Sequence, residues 1–516
     1  MLKKTMTLFR SPLVIATAAA AACLAGCRVG PVYQRPPALA QAPPAAYKES
    51  PQNFPASDAW KVAQPQDAML RGKWWEIFND PELNALEDKV DTDNQNIQRA
   101  FQNLMAARAV IAEARSQLFP TVGFGPSFQE SGSSANSISR TGSSSTTPST
   151  SGNRTSSSYS LPFDVSWEPD LWGRIRNLIR EQQYAAQVSA ADLENERLIE
   201  HADLAQFFFQ LRGQDALLAL LNQTIADYQK TLDYTRAQYE TGVGTQISVV
   251  EAETSLRNAQ AAATNVGINR AQFEHAIAVL MGVNPSTFSI PIKPLDHTPP
   301  AIPLGLPSQL LERRPDIAAA ERTMAQANAA IGVADAAFFP TLTLGGSAGL
   351  SSASFKHLFD WSSRVWSVGP SVSETVYDGG LRRATVRQFT AIYNGDVANY
   401  RQTVLTAFQQ VEDYLAAVRI ISQQIQQQEQ AIASAQQFVD LELARYQLGI
   451  DPYVDLITAQ NTLLGSQQTL TNLRTQAMAD SVQLVVALGG GWDSTQLPSP
   501  AQLTQKPDPG QTAIQR

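Results

Sequence analysis

Tyr159-Ser160-Leu161-Pro162-Phe163-Asp164-Val165-Ser166-Trp167-Glu168 carries a large apolar group at every odd position until its last, and Ser, Asp or Glu at most even ones. Successive side chains of a strand face opposite sides, so this run predicts one apolar and one polar face. Three further runs alternate in the same way. Val122, Phe124 and Phe128 alternate with Thr121, Gly123, Ser127 and Gln129. Leu342, Leu344, Ala348 and Leu350 alternate with Thr341, Thr343, Ser347 and Ser351. Trp366, Val368 and Val372 alternate with Ser367, Gly369, Ser371 and Ser373. Each run is about ten residues, the length of a tilted strand that crosses a bilayer. Trp167, Trp172, Trp361, Trp366 and Tyr377 stand at or near strand ends, as an aromatic girdle requires.

A soluble half-buried sheet also alternates. The surrounding helices favour the membrane reading. Pro is missing from Asp170 to Asn284 and from Ser371 to Asp451. Gly173 to Tyr239 as one helix would be roughly 100 Å long, more than an ordinary globular core needs. Leu198, Ala202, Ala205, Phe208 or Phe209, then Leu218, Leu221, Ile225, Tyr228 and Leu232 recur at helical spacing. So do Leu405, Phe408, Val411, Leu415, Val418, Ile425, Ile432 and Phe438. The other faces are rich in Ala, Gln and Asn, and the Gln423–Gln430 run reads as a solvated face. Gly242-Val243-Gly244 and Gly449-Ile450-Asp451-Pro452 interrupt the helices as tight tips, with Pro452 suited to a first helical turn.

The chain repeats itself. Gln238-Tyr239-Glu240-Thr241-Gly242 matches Arg445-Tyr446-Gln447-Leu448-Gly449, 207 residues on, and the same offset pairs Leu211-Arg212 with Val418-Arg419 and Met281-Gly282 with Leu488-Gly489. Upstream, Phe119-Pro120-Thr121 matches Phe339-Pro340-Thr341 at an offset of 220. The difference falls in the Ser/Thr/Gly-rich stretch from Ser131 to Ser158, an enlarged loop. The expected organisation is a first unit at 76–290 (β-hairpin about 120–168, helical hairpin 173–282), a linker at 291–306 and a second unit at 307–490 (β-hairpin about 341–377, helical hairpin 380–488). An extended segment at 27–75 and a flexible tail at 491–516 flank them.

Four strands cannot close. An open edge in lipid leaves backbone groups unpaired at several kcal/mol each. Several chains must therefore share one barrel. Three copies give twelve strands and room for a duct, whereas two copies give eight and a filled interior. Closed rotational symmetry makes a homotrimer the favoured assembly.

Lys3, Lys4 and Arg10 precede an apolar stretch from Leu13 to Ala22, and Leu24-Ala25-Gly26-Cys27 reads as a lipobox. Residues 1–26 are then a lipoprotein signal peptide, and Cys27 is lipidated, anchoring the chain without spanning. Arg28 rather than Asp follows the cysteine, which favours the outer membrane.

The chain has 516 residues, net charge −8 and two cysteines. The acidic balance argues against nucleic acid, and the cysteines exclude a disulfide framework and any Cys-rich metal site. His201, His275, His297 and His357 lack ligand spacing and read as ordinary polar or surface histidines. Gly345-Gly346-Ser347-Ala348-Gly349 fits a hydrolase elbow, but Ser347 falls within a strand with no helix directly after it. Gly242-x-Gly244 lacks a third glycine and a preceding strand. Neither an enzyme nor a cofactor is expected.

Gly305-Leu306-Pro307-Ser308-Gln309-Leu310-Leu311-Glu312-Arg313-Arg314-Pro315-Asp316-Ile317 resembles the most recognisable motif of the TolC-like outer-membrane efflux proteins of Gram-negative bacteria, in their NodT/OprM-like lipoprotein branch. Trp74-Trp75 through Phe78, Asp80-Pro81 and Leu83 is similar to that family's mature N-terminal signature, as is Val29-Gly30-Pro31-Val32-Tyr33-Gln34-Arg35-Pro36. The resemblance implies an α+β membrane protein. Its trimeric, 12-stranded transmembrane barrel would be continuous with a long periplasmic helical barrel. It also implies a periplasmic adaptor and an inner-membrane pump as partners, with drugs or other small solutes passing outward passively. Gly242, Val243, Gly244, Gly449, Ile450 and Asp451 would meet the adaptor. Relatives carry Asp-Ala-Gln-Arg after the second tip as a charged gate ring; Thr458-Ala459-Gln460-Asn461 stands here instead. The gate candidates are Glu251, Thr254, Asp455, Thr458 and Asn461. The alternative, a non-channel lipid-anchored periplasmic scaffold or adaptor, explains the helices but not membrane-patterned strands.

Overall fold

The computed structural model describes residues 28–39, 43–44, 46–49, 60–62, 72–133, 154–296, 298–300, 302–304 and 310–505. Cys27 and the signal lie outside them. The elements are β1 (Trp60–Val62), α1 (Pro81–Asp93), α2 (Gln95–Ser116), β2 (Thr121–Phe124), β3 (Ser127–Ser133), β4 (Arg154–Trp167), α3 (Arg174–Glu240) and α4 (Gln246–Leu280). There follow β5 (Ile302–Leu304), α5 (Leu310–Arg313), α6 (Pro315–Ala336), β6 (Thr341–Ser352), β7 (Arg364–Ser373), α7 (Leu381–Gln447), α8 (Tyr453–Ala487) and α9 (Pro500–Thr504). Helices α3 and α7 each have 67 residues, and α4 and α8 each have 35.

Contacts divide the chain into two compact units, 1–34 with 108–184 and 325–395, and 35–107 with 185–324 and 396–516. Both halves of the sequence contribute to both units.

The first unit holds an antiparallel sheet in the order β2-β4-β6-β7, with β3 also on β4. The expected first strand is split, because Gly125 and Pro126 separate β2 from β3, and Pro126 has no N–H for the ladder. Register sorts the faces. Val122 pairs Val165, Val165 pairs Gly346, and Gly346 pairs Val368. Phe124 pairs Phe163, Phe163 pairs Ala348, and Ala348 pairs Trp366. Between these rows Gly123, Asp164, Ser347 and Ser367 line up on the opposite face. The apolar face is bare: Trp366 and Val368 are each 78% exposed. Among the described residues nothing pairs the outer edges of β2/β3 or β7. Ser347 lies mid-strand against Asp164 and Ser367, not at a nucleophile elbow.

The segment after Cys27 is fastened in this unit. Arg28 Nε donates to Asn177 Oδ1 (2.9 Å), Asn177 Nδ2 donates to the Val29 carbonyl (2.9 Å), and Val29 N–H donates to the Trp172 carbonyl (3.1 Å). Gly30, at φ 106°, passes over Gly332, where a Cβ would come within 2.5 Å of backbone.

In the second unit the Trp74-Trp75 signature is core. Trp74, Trp75 and Phe78 are buried with Leu83, Phe208, Phe209 and Leu484. Asp80 caps α1 by accepting from the N–H groups of Glu82 (2.8 Å) and Leu83 (3.1 Å), and Pro81 opens the helix. The two halves also share a turn. Gly282 and Gly489 have φ 65° and 99°, and a Cβ on them would strike the carbonyls of Asp93 and Arg313 at 2.4 and 2.2 Å. Arg314 explains the later motif, since it pairs with Asp316 at 2.7 Å and donates to Gln410 and the Ala487 carbonyl, the C-terminus of α8. The expected flexible tail is packed up to 505. Trp492 is buried, Gln187 holds the Pro498 carbonyl at 2.9 Å, and a Ser499–Gln502 capping box starts α9.

The helix faces satisfy their own polar groups. Gln223, Gln229, Gln409 and Gln436 each donate to an Asp four residues on. Thr254, Thr458, Thr462 and Thr469 return their hydroxyl hydrogens to the carbonyl four residues back.

Two buried charge clusters tie the second unit together. Asp215, fully buried, accepts from Arg270 Nε (2.7 Å), Arg212 Nη1 (3.1 Å) and Lys293 N–H (3.0 Å). The arginines also donate to the carbonyls of Ile290 and Pro291, stapling the chain that leaves α4. His201 is the second cluster and corrects the surface reading. It is buried, stacks on Trp75 at 4.3 Å, and bonds Glu87 (2.6 Å) and Asp91 (3.3 Å). Burial alone would depress its pKa, but the hydrogen bonds and charges of Asp91 and Glu87 outweigh it and lift His201 to about 9.

Asp215→Ala should destabilise the fold by about 1–3 kcal/mol, because Arg212 and Arg270 lose the buried acceptor they share and keep Glu82 and Glu274 as their remaining carboxylates; calorimetry of the purified protein reads the loss. The stability from His201 being protonated is present below the imidazole's ordinary value of 6.5 and is lost as pH rises through about 9; below about 7 the buried Glu87 is itself protonated, so there Asp91 supplies the opposing charge. Melting temperature should therefore fall between pH 7 and 10 more steeply in the wild type than in His201→Gln.

Candidate functional site: the paired helical tips

The first tip ends α3 with Gly242 at φ 79°, and the Val243 and Gly244 N–H groups both donate to the Gln238 carbonyl at 2.9 Å. Thr245 caps α4 by accepting from Ser248 N–H at 3.2 Å. The second tip ends α7 with Gly449 at φ 72°. Ile450 N–H reaches back to the Arg445 carbonyl (3.0 Å) and Gly449 N–H to that of Tyr446 (3.0 Å), the paired bonds of a glycine-ended helix. Pro452 sits one place earlier than expected, at the N-cap of α8, where extended backbone suits its fixed φ.

Asp451 faces inward, in a bidentate ion pair with Arg445, whose Nη2 donates to Oδ1 at 2.9 Å while Nε reaches Oδ2. The Arg445 hydrogen bond holds the Asp451 carboxyl below the ordinary carboxylate value. The tips expose several apolar side chains. Val243 and Leu448 are 76% and 75% exposed, Ile247 71%, and Ile450 is exposed too.

Behind the tips the two hairpins lock together. Tyr228, Leu232, Leu256, Tyr446, Tyr453 and Leu456 form a buried cluster drawn from α3, α4, α7 and α8. Tyr446 packs edge-on to Tyr234 and Tyr453, with centroids at 6.0 and 5.6 Å. Three side-chain bonds cross between hairpins: Tyr228 hydroxyl to Asn461 Oδ1 (3.0 Å), Tyr446 hydroxyl to Thr235 Oγ1 (3.3 Å) and Gln460 Nε2 to Thr231 Oγ1 (3.3 Å).

The gate candidates fall into two sets. Asp455, Thr458 and Asn461 are exposed on one face of α8, and Thr254 and the half-buried Glu251 take the matching places on α4. The Thr254 and Thr458 hydroxyls are held by their own helix at 2.7 Å. Among the described residues, Asn461 is the gate candidate that bonds the other hairpin, through the Tyr228 hydroxyl. The bonds of Tyr228, Tyr446, Thr231 and Thr235 were missed in the sequence. Helical spacing marks Tyr228 as an apolar position, and its hydroxyl is the signal that separates it from a plain core residue. Among the described residues no group of acidic, His or Cys side chains could hold a metal.

The sequence profile of the outer membrane efflux protein family matches residues 88–283 and 306–490, and the chain belongs to that family. It is 32% identical over 483 residues to the probable efflux pump outer membrane protein TtgC of Pseudomonas putida, covering 93% of this chain and 96% of that one. It is 31% identical to outer membrane protein OprJ of Pseudomonas aeruginosa, covering 91% and 94%. The solved outer-membrane channel OprN superposes with a TM-score of 0.79 at 27% identity, over 90% of this chain and all of that one.

Asp451→Asn should leave the rest of the fold intact but loosen the second tip. Limited proteolysis near residue 449 should quicken roughly two- to five-fold, the scale of an exposed ion pair. The wild-type pair is present above the ordinary carboxylate value of 3.8 and is lost as pH falls through the lowered one.

Proposed function

We propose that this chain is the outer-membrane exit duct of a tripartite efflux system, working as a homotrimer. The observation that carries the reading is the sheet: one bare apolar face, one small polar face, and two edges left without a partner in the described chain. In lipid those edges must be paired, and three chains supply the twelve strands of a barrel wide enough to conduct. Two copies of one structural unit per chain then place two helical hairpins per subunit, six around the helical barrel. The scaffold alternative has no use for an apolar sheet face.

The domain reading follows the repeat, with units at 76–290 and 307–490 about the 291–306 linker. Lipidation of Cys27 agrees with the fastening of Arg28 and Val29 beside Trp172 and Asn177, directly after a membrane strand. The chain does no chemistry and needs no cofactor. An inner-membrane pump supplies energy, and a periplasmic adaptor meets the tips at Gly242, Val243, Gly244, Gly449 and Ile450, while Asp451 shapes the second turn. The gate closes at the tips near Glu251, Thr254, Asp455, Thr458 and Asn461. It is held by tyrosine hydroxyl and amide bonds between hairpins rather than a ring of ion pairs. Adaptor contact opens it by binding the splayed state more tightly.

The purified protein should run as a heat-resistant oligomer of three chains and show small or rare conductance in planar bilayers. Tyr228→Phe removes the Asn461 bond and should raise open probability several-fold. A monomer in detergent, or a steady wide-open wild-type pore, would overturn the reading.

A further inference from the structure

Between α3 and α7, with α8 as its floor, lies a groove of about 610 Å³. That is the size of a small-molecule pocket. Tyr228, Tyr234 and Tyr446 give it an aromatic wall, and Leu443 and Leu463 add aliphatic surface. One charge is unbalanced. At the rim Asp227 is neutralised by Lys230 at 3.0 Å, while Asp440 accepts only from the Gln436 amide at 3.0 Å and faces no cation among the described residues. The rim thus carries one negative charge in excess.

We propose that this groove is a binding site for an amphiphilic aromatic cation. Its ring lies on the tyrosines and its positive charge faces Asp440. The groove is built from both helical hairpins, so an occupant that touches both walls binds best at their present spacing. It resists their separation, since a ligand shifts an equilibrium toward the state it binds more tightly. That braking effect rests on the duct reading above; the binding site does not.

Ethidium, a planar aromatic cation with two amino groups, is a direct probe. Its fluorescence should rise saturably on titration with the detergent-purified full chain. Asp440→Asn should weaken binding roughly three- to five-fold, the scale of an exposed charge contact. Asp440→Glu should restore it, and Thr224→Trp, which fills the groove from α3, should abolish it while the oligomer keeps its heat resistance. In bilayers the same ethidium concentration should lower the open probability of Tyr228→Phe channels but not of Tyr228→Phe/Thr224→Trp channels. No saturable binding, or binding that both groove variants leave unchanged, would overturn the site. Groove-dependent binding without a change in open probability would overturn the brake alone and leave the duct standing.

Discussion

Backbone hydrogen bonds that one chain cannot complete govern this molecule. The sheet pairs β2/β3, β4, β6 and β7 internally and then stops, with donors and acceptors exposed along both outer strands. Water would satisfy those groups, but hydrocarbon does not. The apolar row through Phe124, Phe163, Ala348 and Trp366 suits hydrocarbon, and among the described residues nothing covers it. On the duct reading proposed above, assembly is a condition for a lipid-embedded barrel, and the long helices are carried with it.

Much of this was legible in the sequence because it rests on period. Alternation identified β4, β6 and β7, and the Pro-free runs located α3 and α7. The turn glycines Gly242 and Gly449 have the left-handed backbone that their residue type suggested. Period could not reveal that Gly125-Pro126 splits the first strand, because a break in pairing leaves the alternation on either side intact. Nor could it reveal His201 between Glu87 and Asp91, whose partners lie more than a hundred residues away. The family resemblance places Asp451 among the adaptor contacts, and spacing does not show that a local arginine, Arg445, pairs with it. The tyrosine bonds behind the tips escaped for a related reason: a tyrosine at a core position looks the same whether or not its hydroxyl reaches a neighbour.

The two recognisable motifs have physical causes. Trp74-Trp75 fills the core and Asp80-Pro81 starts the helix beside it. Arg314 and Asp316 close the end of α8, while Gly489 lets the following turn lie against the Arg313 carbonyl. Gly282 does the same against Asp93 in the other half. Each short helix thus anchors the far end of a hairpin, and the hairpin's free end is left to its tip contacts.

The self-contained polar faces have a mechanical consequence. Glutamines that bond an Asp on their own helix offer a neighbouring helix little to grip, whereas Thr231 and Thr235, which also bond their own helix, still accept from the other hairpin. Two such surfaces can shear past one another without exchanging hydrogen bonds, as in a lubricated bearing. Resistance to sliding is then concentrated in a handful of cross-ties, so a few side chains decide how stiffly the whole length of each helix is held.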